Sequence, residues 1–366
     1  MPLKLHEYLP HGVQSLAQSS KRSAVPRDYI ALVGDSYAQG YGEWFLGVDP
    51  SKNPQFHSGH VLHSKLEVDV ITFGASGAGS LHALVTEPVA QWEYMNSIAL
   101  YSLDPPKQIL VYFYAGNDLN NNLTDLRRRF AGRYSTDRVR DPDVFRTFID
   151  DVVLAENATY AESKRGSWKK NLLLARTVHK MLFKERRWRG NPEGRAVTET
   201  PAARPEPVNW AKIGAEPVAL PSNLQAPSLE LTREELELAT YVFEQALLYL
   251  KNFFSQSRIS VLYVPSPLES YEIVSDEVDS QSYEKRGTRF PSAFLARRSS
   301  EVRELIESVA QKHGVPFVDA TPYIREASQG SLVHGPREWK HFNRIGYEAL
   351  AEAAIRAASS GNPTRR

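Results

Sequence analysis

Five short apolar runs stand out along the chain: Tyr29 to Val33, Val68 to Phe73, Gln108 to Tyr114, Ile259 to Val264 and Val315 to Val318. Within each, apolar residues follow one another without the in-and-out alternation of a half-exposed strand. That pattern belongs to strands covered on both faces, and so to a parallel sheet. Between the runs the apolar positions recur at helical spacing. From Thr232 to Phe254, Leu236, Ala239, Val242, Phe243, Ala246, Leu247 and Leu250 line one face, and Thr232 with Glu235 forms a capping box. Glu301 to His313 carries Val302, Leu305, Ile306 and Val309 on one side and stops at Gly314. Asn343 is placed to cap a last helix running through Ala357. Strands alternating with helices predict an α/β protein, a three-layer sandwich around a five-stranded, mostly parallel sheet.

The rhythm breaks between residues 121 and 231, where charged helical stretches give way to Pro192, Pro201, Pro205, Pro207, Pro217, Pro221 and Pro227. Prolines at that spacing forbid long helices. The segment reads as an insertion or lid over one edge of the sheet. The chain then divides into an N-terminal extension over 1–27, a first half of the main domain over 28–120, the insertion over 121–231, a second half over 232–358, and a tail over 359–366.

Composition adds boundaries more than detail. The 366 residues are 42% hydrophobic and 24% charged, with a formal net charge of +1. A core of ordinary size is available, and there is no global electrostatic case for nucleic acid or an anionic membrane. With no cysteine in the chain, disulfides, thiolate metal sites and cysteine nucleophiles are excluded, while the compartment stays open. The start, Met1 to Glu7, holds no apolar stretch. No run approaches the roughly 18 apolar residues of a membrane span, so the chain as written reads as soluble. Oligomeric state is not legible.

The chemistry gathers where the runs end. Gly34-Asp35-Ser36 directly follows the first, which puts a hydroxyl at the tip of a rigid element where a helix should begin. Gly74-Ala75-Ser76-Gly77-Ala78-Gly79 follows the second, and Gly116-Asn117-Asp118 the third. In an open α/β sheet these ends share one edge, the edge at which ligands bind. Far along the chain, Glu338-Trp339-Lys340-His341 precedes the last helix. Acyl transfer needs a nucleophile, a base, a group to orient the base, and donors aimed at the developing oxyanion. Ser36, His341 and Glu338 are the candidates for the first three roles. The Ser36 N–H, a Gly74 N–H and the Asn117 side-chain amide are candidates for the oxyanion hole.

Gly34-Asp35-Ser36, Gly74, Gly116-Asn117-Asp118 and Glu338-x-x-His341-Phe342-Asn343 resemble, in order, the four sequence blocks of the SGNH (GDSL-type) hydrolases. The resemblance covers roughly Asp28 to Asn122 and Ile259 to Ala357 and leaves the insertion unmatched. It implies a flavodoxin-like SGNH hydrolase fold. It also implies a serine nucleophile at Ser36, oxyanion donors at Gly74 and Asn117, and a base at His341. No cofactor or metal is expected. The sequence departs from the family at Glu338, where aspartate is usual, and at Thr72, where asparagine often stands.

The expected activity is hydrolysis of a carboxylic ester, of a small molecule or an acylated carbohydrate, through an acyl-enzyme. Carbohydrate O-acetyl transfer and non-catalytic carbohydrate binding are the alternatives. Asp35 and Asp118 are expected to hold loops rather than move protons. The glycines after the second run do not fit a phosphate cradle, since G-x-G-x-x-G is not matched and no lysine follows. His57, His60 and His63 read as surface histidines of a packed helix rather than metal ligands. The basic stretch Lys164 to Arg189, with Trp168 and Trp188, reads as a solvated helix face, with an anionic polysaccharide or a membrane face as the alternative. Asn120-Asn121-Asn122 suggests either a turn or contacts to sugar hydroxyls.

Overall fold

The five apolar runs form one sheet in the computed structural model, which describes residues 21–22, 25–40, 57–96, 102–155, 208–283 and 286–359. Its strands are β1 (Tyr29–Gly34), β2 (Asp69–Thr72), β3 (Gln108–Tyr114), β4 (Arg258–Val264) and β5 (Phe317–Asp319). They lie side by side in the order β2-β1-β3-β4-β5, and every neighbouring pair is parallel. This is the flavodoxin-like order, which reverses beside β1. Parallel neighbours need long crossovers, and helices supply them on both faces.

The period of two within each strand decides which layer a residue serves. In β1, Ala31 and Val33 join one buried cluster with Val111, Phe113, Val261 and Tyr263. Ile30 and Leu32 join another with Leu110, Tyr112, Tyr114, Leu262 and Val264. The first face is covered by the helix Arg233–Phe253 through Leu236, Val242, Phe243, Leu247 and Leu250, and by Val302 and Ile306 of the helix Ser292–Lys312. Each such large side chain, fully buried, contributes about 1.5–3 kcal/mol. The second face is covered by Leu62 of the helix Ser58–Leu66, Ile324 of Thr321–Ser328, and Tyr347, Leu350, Ala353, Ala354 and Ala357 of Arg344–Ser359.

The capping box predicted at Thr232 is present: the Thr232 hydroxyl accepts from Glu235 N at 3.2 Å, and the Glu235 carboxylate accepts from Thr232 N at 2.9 Å. The helix expected over Glu301 to His313 begins earlier, at Ser292. Its first turns hid from the apolar pattern because Arg298 and Ser299 are buried on the core-facing side, where Arg298 donates to the carbonyl oxygens of Ser228 and Leu231 at 2.6 and 2.9 Å.

Of the 121–231 segment, residues 156–207 lie outside the described residues, and the basic stretch Lys164 to Arg189 lies there with them. Its first part packs on the main core through Leu123, Leu126, Phe130, Phe145, Phe148, Ile149, Val152 and Val153. Its last part forms the hairpin Trp210–Ile213 with Glu216–Ala219, whose first strand also pairs with Glu272–Ile273. His57 and His60 are buried, a correction to the surface placement expected of them. His57 turns inward because its Nδ1 accepts from Gly59 N at 3.0 Å and caps the helix. Their rings pack at 3.8 Å.

Candidate active site

All five strands run the same way, so the segments leaving β1, β2 and β3 emerge on one edge. Gly34 closes β1 at φ +152°, and a Cβ there would lie 2.5 Å from Tyr112 O. Glycine therefore lets the chain turn out flat against β3. Asp35 then caps the short helix Ser36–Gln39, its carboxylate accepting from Tyr37 N at 2.9 Å. The helix ends at Gly40 after one turn, so its dipole adds little at Ser36.

Gly74 crosses directly over this turn. A Cβ at Gly74 would sit 2.3 Å from Gln39 N and 2.8 Å from both Ala38 C and Asp35 O. Its neighbours Phe73 and Ala75 donate to the Leu32 and Gly34 carbonyl oxygens of β1 at 2.8 and 3.0 Å. The Gly74 N–H has no such partner among the described residues. Beyond β3, Asn117 precedes the helix Asp118–Asp125. Its Oδ1 is buried with no donor among the described residues.

Ser36 and His341 are 305 positions apart, yet Ser36 Oγ lies 2.9 Å from His341 Nε2. His341 Nδ1 lies 2.8 Å from Glu338 Oε2. Glu338 also accepts from Lys340 N at 2.7 Å and His341 N at 2.8 Å. Burial acts to raise its carboxyl, but the bond and charge of His341 and the two backbone N–H groups outweigh it and hold the group below its ordinary value. An ionised carboxylate only accepts, so the imidazole proton sits on Nδ1. That leaves the Nε2 lone pair facing the serine.

Ser36 has one proton and a second acceptor, since Asp35 Oδ2 lies 3.1 Å from its Oγ. Asp35 is fully buried, and burial pushes its carboxyl up to about 6 against the opposing effects of Tyr37 N and the charge of His341. Asp118 is pushed well above the carboxylate range by burial and by the Asp35 charge, although Tyr114 N donates to it at 2.8 Å. Two buried carboxyls that feel each other's charge disfavour ionising together.

A second histidine, His334, packs against Phe342 beside the same loop. The Tyr271 hydroxyl accepts from Val333 N and His334 N at 3.2 and 3.0 Å, so its own proton goes to His334 Nδ1 at 3.2 Å. Burial, and to a lesser extent His341, push His334 down to about 3, so it stays neutral. It serves the loop, not proton transfer.

Sequence reasoning missed Tyr37. Its hydroxyl donates to Lys340 O at 2.8 Å, and its ring packs 5.4 Å from His341 and 5.0 Å from Phe342. It therefore fixes the residue next to the imidazole from the serine's own turn. Nothing in the spacing connects positions so far apart; only a large aromatic directly after Ser36 hinted at it. Asn343 does more than cap: besides accepting from Gly346 N at 3.2 Å, its amide ties Leu332 O at 2.8 Å and Gly335 O at 3.2 Å. Asn120 and Asn122 are buried and engaged, Asn120 with Ser228 and Glu230, Asn122 with Ser80 and Ala239 O. Both are helix residues, which corrects the turn or sugar contact expected of them. Thr72 ends β2 opposite Leu32.

A surface depression lined by Pro142, Arg146, Tyr249 and Phe253 shares no residue with this group. Among the described residues, no cluster of three or more histidine, aspartate or glutamate side chains could hold a metal ion, and no helix is long and apolar enough to cross a membrane.

No protein-family model matches the chain, and no curated protein matches it. Among solved structures it is similar to an extracellular lipase from Streptomyces rimosus, at 14% identity over 92% of this chain and 100% of that one, with a TM-score of 0.42. It is also similar to a phospholipase A1 from Streptomyces albidoflavus, at 12% identity, 92% and 100% coverage and a TM-score of 0.39. A variant of an acetyl-xylooligosaccharide esterase from Geobacillus stearothermophilus aligns at 11% identity, 93% and 98% coverage and a TM-score of 0.35. At these values the likenesses decide neither substrate nor residue roles.

Proposed function

We propose that the chain is a serine ester hydrolase of the SGNH type that cleaves a carboxylic ester through an acyl-Ser36 intermediate. The observation that carries this reading is the unbroken line Ser36 Oγ, His341 Nε2, His341 Nδ1, Glu338 Oε2, with steps of 2.9 and 2.8 Å at its two hydrogen bonds. His341 takes the Ser36 proton as Oγ attacks the carbonyl carbon, and Glu338 stabilises the imidazolium. The carbonyl oxygen becomes an oxyanion, for which the Gly74 N–H, the Asn117 amide and the Ser36 N–H are the donors. The imidazolium returns its proton to the leaving alkoxide as the C–O bond breaks. Water then enters; His341 takes its proton, hydroxide adds to the acyl carbon, and Ser36 leaves reprotonated.

Each donor of this kind contributes about 2.7–4 kcal/mol of transition-state stabilisation. An acylated carbohydrate fits the reading as well as a small-molecule ester. A sugar hydroxyl in place of water would turn the same residues to acyl transfer, and accumulation of free acetate rather than acetylated glycan from an acetyl donor marks hydrolysis. The test of the reading is Ser36→Ala. It should lose turnover of p-nitrophenyl acetate and labelling by a fluorophosphonate while its circular dichroism is unchanged. Turnover equal to that of the parent chain would remove Ser36 from the mechanism.

A further inference from the structure

The peptide that joins Gly116 to Asn117 is held from outside the four sequence blocks. Gly116 O accepts from the Tyr283 hydroxyl at 3.0 Å. The Tyr283 oxygen accepts from Gln225 Nε2 at 2.7 Å, and Gln225 Oε1 accepts from the Tyr114 hydroxyl at 2.5 Å. A carbonyl can only accept, so Tyr283 must spend its single proton on Gly116. Its oxygen is then free only to receive, which turns the Gln225 NH2 toward it and the Gln225 oxygen toward Tyr114. One backbone carbonyl thus fixes the polarity of all three bonds.

Gly116 is also a position that cannot hold itself. A Cβ there would lie 2.4 Å from the Tyr114 ring, so only glycine fits, and glycine is the residue with most backbone freedom. The Gly116 carbonyl and the Asn117 N–H share one rigid plane. Whatever tethers the carbonyl therefore sets the direction in which the Asn117 side chain leaves the backbone. Tyr283 is itself braced, its N–H donating to Glu230 Oε1 at 2.8 Å, and Glu230 also accepts from Asn120 at 3.2 Å and Ser282 at 3.0 Å. Gln225 is buried in the last part of the 121–231 segment, and Leu224 O accepts from Gln281 N at 2.8 Å beside it.

We infer that Tyr283 and Gln225 are positioning residues for the oxyanion donor Asn117, so that the segment outside the family-like blocks helps to set the geometry of the reaction. This rests on the ester hydrolase reading. Burial raises the Tyr283 hydroxyl above its ordinary value, which keeps it a donor at working pH.

The test is a double-mutant cycle on the full chain, read by p-nitrophenyl acetate kinetics and by the rate at which a fluorophosphonate labels Ser36. Asn117→Ala should lower kcat by about 10²–10³-fold. Tyr283→Phe should lower kcat about tenfold with KM within about twofold, because a displaced donor costs less than a missing one. It should slow labelling by the same factor. In the Asn117→Ala background, Tyr283→Phe should cost nothing further, since it acts through the residue already removed. Gln225→Leu, one bond further away, should follow the same pattern with a smaller loss. Full kinetics in Tyr283→Phe, or losses that multiply with that of Asn117→Ala, would overturn the inference and leave the hydrolase reading standing. A parent chain that neither turns over the ester nor takes the label would end both.

Discussion

Replacing Glu338 by Gln tests how the base is oriented. The carboxylate receives three N–H groups: Oε1 takes Lys340 N, and Oε2 takes both His341 N and His341 Nδ1. Glutamine has one oxygen and one NH2 and cannot satisfy all three. Turning its oxygen to the Oε2 position keeps two bonds and sets NH2 against one N–H; the reverse sets it against two. The first orientation wins, so Nδ1 keeps its acceptor but loses the charge. A hydrogen bond to a charged group contributes about 1.5–3 kcal/mol against about 0.5–1.5 kcal/mol for a neutral one, and the difference of about 1–1.5 kcal/mol, at 1.36 kcal/mol per decade, predicts a fall in kcat of about 5- to 13-fold. KM for p-nitrophenyl acetate should stay within about twofold, because the loss falls on the transition state. His341→Ala, which removes the base itself, should cost more. A Glu338→Gln loss equal to or larger than that of His341→Ala, or no loss at all, would refute this account of the carboxylate.

Gly74→Ala would put a methyl 2.3 Å from Gln39 N, where contact needs about 3.4 Å; the serine turn must shift by about 1 Å, and kcat should fall about 100-fold, an outcome that ester kinetics alongside a melting curve will check. Tyr37→Phe leaves Lys340 O without its donor and should lower kcat about tenfold with KM unchanged, about the value of one hydrogen bond; unaltered kcat would show that the loop holds His341 unaided. Asp35 and Asp118 have carboxyls raised by burial, so the folded chain binds more protons than the unfolded one. Their contribution to stability is therefore fully present below about pH 4 and declines as pH rises through about 6 and beyond. Asp118→Asn keeps an acceptor for Tyr114 N and removes one of these groups, so its melting temperature should exceed that of the parent chain at pH 8 and match it near pH 4; scanning fluorimetry at both values decides.

The candidate site was partly legible because its pieces sit at strand ends. Gly34, Ser36, Gly74, Gly116 and Asn117 each follow an apolar run, and a run long enough to be a buried parallel strand announces the edge at which its successor emerges. His341 and Glu338 were legible only as a spaced pair before a helix. What could not be read were side chains whose partners lie far away in sequence. Tyr37 carries no signal in the spacing, because its hydroxyl meets Lys340 O only in the folded chain. Gln225 and Tyr283 lie in stretches with no periodic pattern. The histidines at 57 and 60 looked polar and exposed because burial of an imidazole is decided by the groups packed around it, not by its neighbours along the chain.

By itself, then, the sequence determined the five strands of the main sheet and three of its helices, the parallel direction, the two-faced burial of each strand, and the residues carried on one edge. These follow from local periodicity, which a strand or helix imposes whatever surrounds it. The tertiary structure decided which distant groups touch: the 2.9 Å approach of Ser36 to His341 across 305 positions, the donors on Glu338 and the tether from Tyr283 to Gly116. Those distances depend on how helices seat on the sheet, a choice set by packing over the whole core rather than by any run of residues.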